Sequence, residues 1–184
     1  MDKAKAAKWF GTVELQDFTP SQGAFLDELL RMLDVYDPPL LDRTRSSISD
    51  QGPAWTKANT IEVRLVHRSE PGAAIEIGLS PDEAIVGWLT AHEHINEREA
   101  EGGDRTWTTA AVGAVAGILR GDYEVEDTYK GKRLIKTRVI DAGDPEGPRP
   151  ITETGSLFGW VPSPGSKRVE RRRVGFGASP DDAR

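Results

Sequence analysis

The hydrophobic pattern of the 184-residue chain is clearest between positions 19 and 140. Phe25, Leu26, Leu29, Leu30 and Leu33 recur at three- and four-residue steps, which predicts a helix over 19–35 with one apolar face. Thr19, Pro20 and Gln22 spell a capping box at its start, and Pro38 and Pro39 bar its continuation. Over 60–68, Ile61, Val63 and Leu65 alternate with Glu62 and Arg64; after a turn at 69–72 the alternation resumes through Ile75, Ile77 and Leu79, predicting a β-hairpin. Residues 80–97 fit two periods. Ile85, Trp88, Leu89, His92 and Ile95 make a helical stripe, but the β-branched and aromatic cluster at 85–88 favours a third strand, so 60–95 reads as a three-stranded meander.

A second helix is predicted over 106–120, with Trp107, Ala111, Val115, Ile118 and Leu119 on one face and Gly121 as its stop. Its interior Gly113 and Gly117 each cost about 1 kcal/mol relative to alanine, and close approach to a sheet would account for them. A second hairpin over 122–140 turns around Gly131. A three-residue loop there sets Tyr123 opposite Val139, Val125 opposite Thr137 and Asp127 opposite Ile135, which gathers the apolar residues on one face, whereas a two-residue loop mixes the faces.

The flanks are less regular. Trp9, Phe10, Val13, Leu15 and Phe18 make the first eighteen residues too apolar for a free tail, and an edge strand or docked arm is expected rather than a helix. Residues 40–59, with Ser46, Ser47, Ser49, Asp50, Gly52, Pro53 and a lone Trp55, read as a long polar loop. Residues 142–150 are linker-like. Leu157, Phe158, Trp160, Val161, Val169, Val174 and Phe176 are expected to return as one or two short strands or to dock on the body. The whole is an α+β chain with a single antiparallel sheet of about five strands and two helices on one side. Its order is α-β-β-β-α-β-β plus an irregular C-terminal segment, with a domain over 1–140 and an extension over 141–184. This order resembles that of the bacterial secretion-chaperone-like fold, and the first hairpin resembles segments of small immunity proteins that neutralise bacterial toxins. Both resemblances rest on element order and strand pattern, and neither supplies a motif whose residues carry over.

Composition narrows the chemistry. The absence of cysteine excludes a disulfide framework, a thiolate zinc site, an iron–sulfur cluster and a thiol nucleophile. No apolar run approaches the ~20 residues of a membrane span, and the N-terminus lacks the apolar stretch of a secretory signal, so a soluble, cytoplasmic protein of bacterial type is expected. The formal net charge is -6, yet Lys167, Arg168, Arg171, Arg172 and Arg173 gather against a single Glu170. This segment reads as a solvated strand or tail folded back on an acidic body, with an anchoring arm for an acidic partner as the alternative. The acidic body disfavours nucleic acid.

Among the three histidines, His92 and His94 point to one side of an extended segment and could share a metal ion, with Glu97, Glu99, Glu101 or Asp104 as a third ligand. Surface histidines beside an acidic loop are the plainer reading. His67, ending a strand, reads as a half-exposed sheet residue. Ser156 lacks a nucleophile motif, and no phosphate-binding glycine loop occurs. Glu124 and Glu126 read as the wet face of a strand. Trp55 and Trp160 sit where core residues are not expected, and exposed aromatics favour binding. The sequence therefore leads to a non-enzymatic protein-binding domain, secretion-chaperone-like or toxin-neutralising, with Trp55, Trp160, Glu97, Glu99, Glu101 and Asp104 as contacts and no cofactor. A metal-dependent hydrolase at His92 and His94 is the alternative, and nucleic-acid binding through residues 167–173 the third.

Overall fold

A computed structural model describes residues 2–14, 17–50, 60–97, 106–142, 150–155 and 166–177, with 150–155 as backbone. The chain is α+β, but its strands form two sheets rather than the single sheet expected. In order the elements are α1 (Lys3–Trp9), β1 (Thr12–Glu14), α2 (Pro20–Tyr36), β2 (Ser47–Ser49), β3 (Ile61–Leu65), a 3₁₀ turn (Pro71–Ala73), β4 (Ile75–Leu79), β5 (Glu83–Trp88) and β6 (Ala91–Asn96). Then follow α3 (Trp107–Arg120), β7 (Tyr123–Lys130), β8 (Arg133–Asp141), β9 (Pro150–Gly155) and β10 (Lys167–Arg172). Strands β1 to β6 lie side by side in chain order in a mixed sheet, β1 and β2 parallel and the rest antiparallel. The second sheet has the antiparallel order β10-β7-β8-β9.

Helix α2 starts as its sequence requires: the Thr19 amide donates to Gln22 Oε1 at 2.8 Å, and the Gln22 amide donates to Thr19 Oγ1 at 3.3 Å. Asp37 ends it in the left-handed region with φ 44°. Helix α3 is capped by Thr106 and closed by Gly121 at φ 72°. The apolar faces of both helices share one core with Ile61, Val63, Leu65, Ile75, Ile77, Leu79, Val86 and Trp88 from one side of the large sheet. Close approach explains only one of the two helical glycines. A Cβ at Gly117 would stand 2.5 Å from the ring of Tyr123, whereas one at Gly113 would meet nothing within 4 Å.

Several expectations are corrected. The N-terminus opens with a helix before its edge strand, because Asp2 accepts from the amides of Ala4 and Lys5 while Ala6 and Trp9 are buried. So short a helix is marginal alone, and its tertiary contacts hold it. The Trp9 indole donates to Asp34 at 2.9 Å. The supposed loop over 40–59 contains β2, whose Ile48 is fully buried; residues 51–59 lie outside the described residues. The third strand of the meander is two strands, β5 and β6, joined at Leu89 and Thr90 with Leu89 at φ 54°. A leucine in that conformation gives no turn signal, so the break was invisible in the pattern.

The second hairpin has a two-residue turn, with Lys130 paired to Arg133. An unbroken ladder from that turn would set Val125 opposite Arg138. The register shift between Thr128 and Tyr129 leaves Ile135 as an extra residue, so Tyr123 faces Asp141, Val125 faces Val139 and Asp127 faces Thr137. The bulge does what the longer loop was invoked to do, two residues further along β8. The C-terminal segment is not irregular throughout: β9 and β10 are the outer strands of the second sheet. Beyond β10, the Phe176 side chain is fully buried, its amide donates to the Leu119 carbonyl at 2.6 Å and its carbonyl accepts from Leu40 at 3.1 Å. Among the described residues no helix is long and apolar enough to cross a membrane.

Candidate functional site

Three surfaces carry the candidate chemistry. The first is the face of the large sheet turned away from the helices. Strand alternation places Arg64, Glu76, Gly87 and His92 in one cross-strand row, and Gly78, Ile85 and His94 in the next. His92 and His94 are exposed, with ring centroids 5.6 Å apart and planes at 70°. His94 Nδ1 lies 2.8 Å from Glu83 Oε1 on the neighbouring strand. Gly87 contributes no side chain, and a hollow of about 360 Å³ opens there, lined by Arg64, Glu76, Thr90 and His92 among others. Burial, and then Glu76, push the nearby Glu62 carboxyl up from the usual range, against the pull of Arg64.

The histidines thus share a face as expected, but the expected third ligand does not join them. Glu97 is exposed beyond the end of β6, and no group of three His, Asp or Glu residues is set to hold a metal ion among the described residues. His67 is corrected outright: it is buried, its Nδ1 accepts from the amides of Ser69 and Glu70 at 3.3 and 3.0 Å, and its ring meets Phe176 edge-on at 4.9 Å.

The second feature is a charged clasp between the sheets. Asp127 is fully buried, and its carboxylate accepts from Thr90 Oγ1 at 2.8 Å, Thr137 Oγ1 at 2.7 Å and the Arg172 guanidinium at 2.8 Å. Thr90 belongs to the β5–β6 turn, so this one carboxylate ties the large sheet to both β8 and β10. On the opposite face of β7, Glu126 is buried rather than wet, held by Arg171 at 2.8 Å with Arg138 at 3.7 Å. Arg173 donates to the Gly121 carbonyl at 2.6 Å. The basic segment is therefore a strand folded back on the acidic body. All four of its arginines are engaged there, Arg168 over the Tyr129 ring at 4.9 Å, which weakens the case for phosphate contacts through them.

The third surface lies between α2 and α3 on the side away from the sheet. Helix α3 carries no charged side chain before Arg120, although Gly113 is exposed and Ala110 and Ala114 are half-buried. Val35 on α2 is 84% exposed. Val35 and Gly113, together with Met32, Tyr36, Val112 and Ala116, border a mostly apolar groove of about 540 Å³, with Glu28, Arg31 and Arg120 at its rim. Burial raises the Tyr36 phenol above its usual range, and its hydroxyl donates to the Leu119 carbonyl at 3.2 Å. The sequence held a signal for this groove: fourteen successive uncharged residues, Thr106 to Leu119, in a chain that is 29% charged. For the Asp127 clasp it held none, since the two sheets meet only in the fold.

Of the expected partner contacts, Trp55, Trp160, Glu99, Glu101 and Asp104 lie outside the described residues. The chain matches no protein-family model, no curated protein and no solved structure.

Proposed function

We propose that this is a non-enzymatic protein-binding domain of bacterial type, and that the α2–α3 groove receives its partner. The supporting observation is the uncharged outer surface of α3 beside the exposed Val35. A surface helix ordinarily turns charges outward, and a continuous apolar strip on an otherwise charged molecule is the usual mark of an interface. The net charge of -6 favours a basic partner by steering its approach. A toxin-neutralising or a secretion-chaperone-like role fits that chemistry.

Gly113→Arg supplies the test, because nothing lies within 4 Å of the position and the fold can accept the side chain. A photo-crosslinker at Val35 should capture one basic protein in stoichiometric yield, and Gly113→Arg should abolish that capture. Equal capture from Glu76 on the opposite side of the molecule, or a complex that survives Gly113→Arg, overturns the reading. A second reading, a metal-dependent hydrolase, is favoured by the hollow beside His92. Zinc-dependent cleavage of an activated ester that disappears in His94→Ala would support it.

A further inference from the structure

We infer that His92 and His94 form a binding site for a late first-row divalent cation on strand β6, with Glu83 as the group that orients His94. Two imidazoles that share one tetrahedral ion, each nitrogen about 2 Å from the metal, hold their ring centroids about 5 Å apart. The observed separation is 5.6 Å, on two side chains that the strand already projects from one face. Both rings are exposed, so a cation reaches them without opening the fold.

Glu83 supplies the second half of the argument. Its Oε1 sits 2.8 Å from His94 Nδ1, and its side chain is only 18% exposed. A carboxylate that accepts a hydrogen bond from Nδ1–H fixes the tautomer that carries its lone pair on Nε2, which is how ligating histidines are commonly held. Imidazole ligands select zinc, nickel or copper over magnesium or calcium. Two protein ligands leave further coordination positions open to water or a small donor molecule, and the hollow over Gly87 lies beside His92. The inference stands apart from the protein-binding reading, and it holds whether or not the bound ion turns over a substrate.

The test uses the full chain, stripped with chelator and titrated calorimetrically with zinc chloride. One saturable site is expected, weakened at least tenfold in His92→Ala and in His94→Ala, several-fold in Glu83→Gln, and untouched by excess magnesium. In parallel, zinc should shift the imidazole NMR signals of His92 and His94 and leave those of the buried His67 in place, a readout that needs no variant to fold. Absence of saturable zinc binding up to millimolar concentration overturns the inference. So does zinc binding that neither alanine variant changes, since the ion then sits elsewhere.

Discussion

A methyl group added at Gly117 would stand 2.5 Å from the Tyr123 ring and force it from its seat under α3. Alanine there should lose about 1–2 kcal/mol despite its better helix propensity. At Gly113 nothing lies within 4 Å, and the same substitution should gain up to about 1 kcal/mol. Urea denaturation of the two variants reads these opposite signs directly. Asp42 allows a different check. Its carboxylate accepts from the Thr44 hydroxyl and then from the Arg45 guanidinium and amide, which hold it at about 2. A carboxyl lowered in the fold stabilises above its unfolded value near 4 and loses that contribution as the pH falls through its folded one. Asp42→Asn should therefore be less stable than the parent at neutral pH, and the gap should close between about pH 4 and pH 2. Unfolding midpoints across that window, with the Asp42 carboxyl followed by NMR, provide the measurement.

Elements were legible where local pattern decides them. Helix α2, helix α3 and the β3–β4 hairpin each carry caps or alternation within their own residues, and each formed where expected. What failed to read were features fixed by distant partners: the short α1, the β5–β6 turn at Leu89, and the bulge at Ile135 that sets the register of β7 on β8. That register matters for the candidate sites, because it brings Thr137 rather than Ile135 beside Asp127. The His92 and His94 pair was legible from strand alternation alone, but its Glu83 neighbour required knowing that β5 pairs with β6. The clasp on β10 makes a prediction at this scale. Arg172→Ala leaves the fully buried Asp127 with two hydroxyls and no cation, and should cost about 2–3 kcal/mol, reduced from a fully buried pair because Arg172 is 42% exposed. Arg171→Ala should cost less, since Arg138 also faces Glu126. Chemical denaturation at low and high salt separates the two, with the Arg171 effect the more salt-sensitive.

Across the molecule, the division of the chain into a body over 1–140 and an extension leads to a decisive experiment. Phe176 lies in the extension, yet its ring is fully buried against His67 and its backbone bonds to Leu119 in the last turn of α3 and to Leu40, which follows α2. Gly175 packs on Gly121 so closely that an added Cβ would stand 2.9 Å from its backbone. The strand that precedes them supplies the only cation bonded to Asp127 among the described residues. Removing residues 141–184 would uncover apolar core, strip both outer strands from the second sheet and leave a buried carboxylate unpaired. A chain ending at 140 should therefore fail to unfold cooperatively, and Phe176→Ala in the full chain should lose about 3–5 kcal/mol. In the intact protein, tryptophan fluorescence and far-UV circular dichroism should report one coincident transition, because the contacts that close the large sheet's core also anchor the second sheet. Two separated transitions, or a cooperative 1–140 fragment, would show that the second sheet's outer strands are an addition to a self-sufficient body.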